Sequence, residues 1–395
     1  MATQTQSPNP SPESRSLFFI AGEASGDAHA ADVIRALKAR APDVHCLGAG
    51  GPKMRDAGME LLLDLTEHAV LGLVEVLRNY CKFRRFFYQL LDVVASRRPD
   101  AVVLVDYPGF NLRFVKALRR RFAGGAYRPR VIYYISPQLW AWAERRVRVV
   151  EHGVDLLLSI FPFEKAWYAQ RAPGLRVEFV GHPLATRHAH VNSELRTPQP
   201  ETVLALLPGS REREIRAHWP ILKEAVRRIL EKERVRVVVL AASDRIEALL
   251  KDDGADRFEI SRDVVETLSR ATVSITASGT ATLECAFFGV PTIVIYQVAW
   301  PTYLVGRMLV KVDHLAMPNV LAGETVFPEF IQHRATPAAI AQEALDLLTN
   351  ETRRAAMKAK LSAIVEGLGG PGASERAAEL IVAEMQTPAG PSGSS

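Results

Sequence analysis

The chain has 395 residues, of which 48% are hydrophobic and 24% charged, with a formal net charge of +5; that length predicts two or three domains, each with its own core. The three cysteines, Cys46, Cys81 and Cys285, are far apart and show no C-x-x-C spacing, which excludes a disulfide framework and a zinc site and points to a reducing cytoplasm. The charge is uneven, +8 over residues 1–200 and −3 over 201–395, so the first half is expected to meet an anionic partner: a nucleic acid, an anionic membrane surface or a phosphorylated substrate. Nucleic acid is the weakest of the three, because no zinc-finger or RNA-recognition signature accompanies the charge.

Residues 1–15 read as a disordered tail. The first apolar run, Leu17–Ala21, is too short for a signal sequence, and no run of about 18 apolar residues exists to span a membrane. Leu17–Ala21 reads as a strand, Gly22-Glu23-Ala24-Ser25-Gly26-Asp27 as a loop, and 28–40 as a helix. Strand, Gly-rich loop and helix open a doubly wound α/β domain. The two glycines let backbone approach a ligand, and Asp27 can cap the helix; a plain capped βα turn explains the loop equally well. Val44–Gly48 is a second strand, followed by Gly50-Gly51-Pro52.

Residues 66–96 carry apolar positions Val70, Leu71, Val74, Leu77, Cys81 and Phe83 at helical spacing. Phe83, Phe86, Phe87 and Tyr88 then alternate with Lys82, Arg84 and Arg85. Such a helix can lie in a membrane interface. The alternative is a helix packed on the sheet with a snorkelling charged edge.

Ala101–Val105 is a continuous apolar run, as in a buried parallel strand. It ends at Asp106, stiffened by Pro108 and Gly109. A carboxylate at the carboxyl end of such a strand is a candidate general base; the alternative is a helix cap. The helix that follows holds Arg113, Lys116, Arg119, Arg120 and Arg121. Val131–Ile135 is a strand that ends at Ser136-Pro137-Gln138-Leu139-Trp140-Ala141-Trp142, where two tryptophans suggest an apolar wall. Leu156–Ile160 and Val177–Val180 continue the alternation, the latter into Gly181-His182-Pro183-Leu184. Residues 185–202 lack periodicity and read as a linker.

The second half repeats the pattern. Strand 203–207 meets Pro208-Gly209-Ser210, with Ser210 a candidate N-cap whose turn leaves free N–H groups. Arg211, Arg213 and Arg216 follow. A helix start attracts anions and a guanidinium holds phosphate oxygens in a fork, so this stretch suits a phosphorylated ligand; an ordinary turn with surface arginines is the alternative. Arg236–Ala241 and Thr272–Thr276 are strands. The latter leads to Ser278-Gly279-Thr280, again suited to a diphosphate, and to Glu284, placed to accept from ribose hydroxyls. Val290–Tyr296 is a strand, helices fill 336–366, and Gly369-Gly370-Pro371-Gly372 precedes a last helix, 373–386. The chain has no D-x-D, Walker A or G-x-G-x-x-G, which argues against a metal-dependent single-domain nucleotide-sugar site, an ATPase and a dinucleotide fold.

Taken together, GEASGD (22–27), VDYPGFN (105–111), SPQLWAW (136–142), GHPL (181–184), LLPGSREREI (206–215), SGTATLE (278–284), MPN (317–319) and PEFIQ (328–332) resemble the lipid-A-disaccharide synthase family, inverting glycosyltransferases of the GT-B fold, over about residues 16–386. The resemblance implies an α/β chain of two Rossmann-like doubly wound domains facing across a cleft. The expected boundaries are an N-terminal acceptor and membrane domain at 16–184, completed by helix 373–386 crossing back, a linker at 185–202, a UDP-sugar domain at 203–368, and a tail at 387–395. It also implies condensation of a UDP-diacylglucosamine donor with a phosphorylated diacylglucosamine acceptor at the cytoplasmic face of the inner membrane, with no cofactor and no metal.

Asp106 resembles the family's base. Arg211 with Ser278, Gly279 and Thr280 would hold the diphosphate and Glu284 the ribose, while Glu23, Ser25, Gly26 and Asp27 would border the diphosphate. Asn319, Glu329 and Gln332 resemble pocket residues without assigned partners, and His182 stands as a second candidate base. Phe83, Arg84, Arg85, Phe86, Phe87, Trp140 and Trp142 would serve the acceptor and an anionic membrane. A homodimer is compatible with the sequence. The rival readings are a UDP-N-acetylglucosamine 2-epimerase, which needs no lipid acceptor, and a non-catalytic nucleotide-sugar-binding protein.

Overall fold

The computed structural model describes residues 15–66, 80–187, 201–298 and 312–386. Both expected tails except Arg15, most of the expected linker and positions Val70, Leu71, Val74 and Leu77 lie outside the described residues. The chain divides into two compact units, one running to Pro183 and resuming at Gly370, the other Leu184–Gly369.

Among the described residues the first unit holds seven strands: β1 Ser16–Ala21, β2 His45–Gly50, β3 Glu60–Asp64, β4 Ala101–Val105, β5 Arg130–Tyr134, β6 Leu156–Ser159 and β7 Arg176–Phe179, in the order β3-β2-β1-β4-β5-β6-β7. Every pairing is parallel. Parallel strands need crossovers, and the crossover helices cover both faces. That is why β4 reads Ala-Val-Val-Leu-Val with every residue buried. The order reverses between β1 and β4, and the crevice at such a switch point is where open α/β sheets take ligands. Gly22–Asp27 follows β1 and Asp106–Asn111 follows β4.

Helix Ala24–Arg40 begins four residues earlier than the sequence suggests, so Asp27 lies inside its first turn. Helix Ala373–Gln386 packs on it. The last helix is pinned by Glu384, buried against Arg130 and, at 2.9 Å, Arg176, and by Arg376, which donates to the Val180 carbonyl at 2.7 Å.

The second unit repeats the plan with six parallel strands: β8 Val203–Leu207, β9 Arg236–Leu240, β10 Glu259–Ser261, β11 Val273–Ala277, β12 Thr292–Tyr296 and β13 Glu329–Ile331, in the order β10-β9-β8-β11-β12-β13. Its switch point lies between β8 and β11, and the two turns singled out for phosphate follow those two strands. Its core gathers Leu206, Trp219, Ile275 and Phe327. The edge strands β10 and β13 have only three residues each, too short to carry a period.

Candidate functional site

Asp106 leaves β4 with φ 47°, and Tyr107 follows with φ 48°. Both lie in the left-handed region, which costs a non-glycine residue roughly 1–3 kcal/mol. The surroundings hold them there. The Asp106 N–H donates to the Tyr134 carbonyl at 2.9 Å. The Asp106 carbonyl accepts from the Tyr133 hydroxyl at 2.6 Å and from Asn111 Nδ2 at 2.7 Å. The Tyr107 ring lies over Gly22, where a Cβ would sit 2.1 Å from Tyr107 Cδ1, so only glycine fits at that point of the first loop.

Burial, then the charge of Glu23, push the Asp106 carboxyl up to about 6, with the Tyr107 N–H pulling the other way. Tyr107, rather than Asp106, occupies the N-cap of helix Pro108–Arg121, and no side chain caps it. The capping alternative for Asp106 therefore has no geometric counterpart.

The neighbouring residues divide. Glu23 and Ser25 are exposed at the start of helix Ala24–Arg40, while Gly26 and Asp27 are buried. The Asp27 carboxylate accepts from the N–H groups of Gly51 (2.9 Å), Lys53 (3.1 Å) and Met54 (3.0 Å). It caps helix Pro52–Asp56 instead of its own helix, and its oxygens are used inside the fold.

Trp140 is also internal. Its indole N–H donates to Glu164 at 3.2 Å, while Trp142 stays 40% exposed under the Arg146 guanidinium, 5.1 Å from the ring. Glu164 carried no role in the sequence reading. It is wholly buried, its other oxygen accepts from the Phe161 N–H at 3.2 Å, and burial drives its pKa up to about 8. His182 is buried beside Phe161, with ring centroids 5.5 Å apart.

In helix Tyr80–Arg97 the rings expected at an interface differ in exposure. Phe86 is 7% exposed, and Phe87 meets Phe110 and Phe114 edge-on at 5.3 and 5.5 Å; Phe83 is half-buried. The Phe87 ring belongs to the packing between this helix and helix Pro108–Arg121. Arg84, Arg85 and Tyr88 face outward beside a groove of about 450 Å³. The exposed Arg113, Lys116 and Arg120 on the adjacent helix, then Arg145, Arg146 and Arg148, extend the same cationic character. Phe86 and Phe87 are packed within the unit, Phe83 is partly exposed, and the helix's basic edge reaches solvent.

In the second unit, Arg211 rather than Ser210 is the N-cap of helix Glu212–Leu230. The turn's N–H groups are not free. The Glu214 carboxylate accepts from Ser210 at 2.9 Å and from Arg211 at 3.3 Å. Gly209, at φ +133°, leaves room for it; a Cβ there would sit 2.6 Å from the Glu214 oxygen. The Arg211 side chain remains 76% exposed, 3.4 Å from Glu214. Buried His218 ties the turn to the next loop: Nδ1 meets the Pro208 carbonyl at 2.9 Å and Nε2 accepts from the Gln297 N–H at 3.1 Å. These partners make Nδ1 the protonated nitrogen, and burial lowers the pKa. Only the Glu half of a capping box is present, because an arginine side chain has no acceptor to return; His218 was masked by its place on an apolar helix face.

After β11, Ser278 Oγ donates to the Leu315 carbonyl at 3.3 Å. Gly279 (φ +149°) is the N-cap of helix Thr280–Phe287, and both Gly279 and Thr280 are exposed. Glu284, one turn on, is half-buried, with its pKa raised by desolvation against the opposing charge of Arg187.

Asn319, Glu329 and Gln332 are occupied internally. Asn319 is fully buried, donating to Phe327 O and Glu329 and accepting from the Val326 and Phe327 N–H groups, all within 2.9 Å. Glu329 accepts from Leu315 and Ala316 N–H. Gln332 clamps both backbone groups of Val298. They hold the chain after β12, at Val298, and the segments at 315–316 and 326–327 through backbone groups. Among the described residues no group of three or more His, Cys, Asp or Glu is arranged to hold a metal ion.

A family model for lipid-A-disaccharide synthetase matches residues 17–383. The lipid-A-disaccharide synthase of Nitrosococcus oceani is 40% identical over 382 residues, covering 94% of this chain and 96% of that protein. That of Geobacter sulfurreducens is 38% identical, covering 93% and 97%. Solved structures share the fold at low identity. A UDP-N-acetylglucosamine 2-epimerase homologue from Listeria monocytogenes has a TM-score of 0.65 at 15% identity, covering 95% of this chain and 98% of that one. The calicheamicin glycosyltransferase CalG4 has 0.60 at 15%, covering 95% and 100%. The architecture is GT-B, two Rossmann-like units.

Proposed function

This chain belongs to the lipid-A-disaccharide synthase family, and from that premise we propose how its residues share the work. It is a glycosyltransferase that condenses UDP-2,3-diacylglucosamine with 2,3-diacylglucosamine 1-phosphate, giving the disaccharide 1-phosphate of lipid A biosynthesis and UDP. The match along residues 17–383 carries the reaction. It also separates the chain from the epimerases, which share only its fold.

Asp106 is the general base. Its carboxylate takes the proton of the acceptor 6-hydroxyl as that oxygen bonds to the donor C1. The bond from C1 to the diphosphate breaks on the opposite face, the anomeric centre inverts, and UDP leaves with the electron pair. A base with a pKa near 6 is mostly ionised at neutral pH yet still basic enough to work, the balance general-base catalysis favours. Glu23 and Ser25 are the exposed groups beside it.

Arg211 and the exposed Gly279–Thr280 turn neutralise the departing diphosphate, since a guanidinium fork and a helix start both suit phosphate. Glu284 takes the ribose hydroxyls. Asp27, Asn319, Glu329 and Gln332 act by holding loops in place, because their polar atoms already have partners.

Both substrates are diacylated, so the enzyme must meet a bilayer. No helix among the described residues is long and apolar enough to cross a membrane. The basic edge of Arg84, Arg85, Arg113, Lys116 and Arg120 is the surface we assign to anionic lipid at the inner face of the inner membrane. The deciding assay is incubation with both diacylglucosamine substrates. Tetraacyl disaccharide 1-phosphate and UDP should form together, and UDP release without acceptor would refute the reading.

A further inference from the structure

The Asp106–Tyr107 step is strained, and what holds it is specific. Two side chains converge on one atom, the Asp106 carbonyl oxygen: the Tyr133 hydroxyl from β5 and Asn111 Nδ2 from the helix that follows. Tyr133 is fully buried in the core of the first unit, on the strand paired with β4. Asn111 is fully buried as well; its amide nitrogen also reaches the Val105 carbonyl at 3.3 Å, and its own oxygen has no hydrogen-bond partner. An amide that leaves a buried acceptor unmatched so that its donor can grip two carbonyls is a costly arrangement, and such cost gathers where backbone geometry serves a site.

We propose that Tyr133 and Asn111 are positioning residues for the transfer reaction: together they lock the left-handed Asp106 backbone so that the carboxylate is presented at the switch point between β1 and β4. The inference rests on the reading of Asp106 as the base.

Without the Tyr133 hydroxyl, the peptide loses its shortest tie and relaxes toward ordinary extended backbone. The carboxylate then turns from its buried seat beside Glu23, Tyr107 and Tyr133 toward water. Two consequences follow. Turnover falls, because misplacing a catalytic group by about 1 Å costs roughly 10²-fold. The acid limb of the rate profile also moves from about 6 toward the ordinary carboxylate value near ~4, because desolvation is what raised it.

The test compares Tyr133→Phe with Tyr134→Phe. Tyr134 is the next residue of β5, equally buried, and directed to the other face of the sheet. Tyr133→Phe should lower kcat roughly 10–100-fold, leave KM and UDP affinity within about twofold, and shift the acid limb downward; Tyr134→Phe should do neither. Asn111→Ala removes the other donor without altering β5, and should move the limb in the same direction if Tyr133→Phe folds poorly. Equal losses in both tyrosine variants with an unmoved limb would mean general loosening of the sheet and would overturn the proposal. A silent Tyr133→Phe beside an inactive Asp106→Asn would overturn the positioning role alone. An active Asp106→Asn would remove the base assignment and the positioning role with it.

Discussion

Replacing Asp106 by Asn should cost activity and add stability, and the two effects should part with pH. The native carboxyl titrates at about 6 against an ordinary 3.8, a rise of about two units, worth about 3 kcal/mol of preference for the protonated form. The sign follows from proton uptake. The folded state binds this proton more tightly than the unfolded chain, so the group costs nothing below pH ~4. Its penalty grows as pH rises through the folded value and is complete above it. Asn resembles the neutral acid and escapes the penalty. Asp106→Asn should therefore melt with the parent near pH 4 and above it at pH 7–8, by at most about 3 kcal/mol. Disaccharide formation should fall by at least ~10² at saturating donor, while UDP affinity by calorimetry stays at the parental value. In the parent, turnover at pH 5 should be about a tenth of its plateau. Turnover of the variant within a few-fold of the parent would dismiss Asp106 as the base and turn attention to His182. A stability change equal at pH 4 and pH 8 would refute the ionisation penalty.

Arg211→Ala should weaken UDP binding about 10–100-fold, since a charge-assisted hydrogen bond is worth ~1.5–3 kcal/mol; Arg211→Lys should recover part of it, and unchanged calorimetric affinity in Arg211→Ala would take the residue out of the site. Glu214→Gln keeps an acceptor for the Ser210 N–H but removes a negative charge from the proposed diphosphate seat. A unit charge at about 4 Å in water is worth about 1 kcal/mol, so UDP should bind several-fold tighter, and a weaker complex would show that the carboxylate assists binding. The triple change Arg84, Arg85 and Arg113 to Ala should lower partition onto anionic vesicles by about 3 kcal/mol at low salt, with the melting temperature held. Phe86→Ala should instead cost about 3–5 kcal/mol of stability, and a parental melt would show that the ring is not core.

Much of this protein is legible in its residue order. The buried runs at Ala101–Val105 and Val203–Leu207 appear as uninterrupted apolar stretches because parallel strands are covered on both faces. The loops at 22–27, 106–111, 208–210 and 278–280 follow strands and so fall where such sheets take ligands. Four of the eight family motifs sit on these same loops. Strand order is another matter. It arises from which crossovers fold to which side, and only the assembled sheets put β1 beside β4 and β8 beside β11.

The roles of individual polar residues were decided by tertiary structure for a related reason. A carboxylate or amide looks the same in a sequence whether it meets a ligand or a backbone N–H. Asp27, Glu214, Asn319 and Glu329 are taken up by backbone groups brought near by folding. The aromatic-basic pattern at 83–88 was ambiguous because one helical period serves a core or a bilayer equally well. The helix turned Phe86 inward and left Arg84 and Arg85 to water, since burying a ring is favourable and burying an unpaired charge costs a great deal.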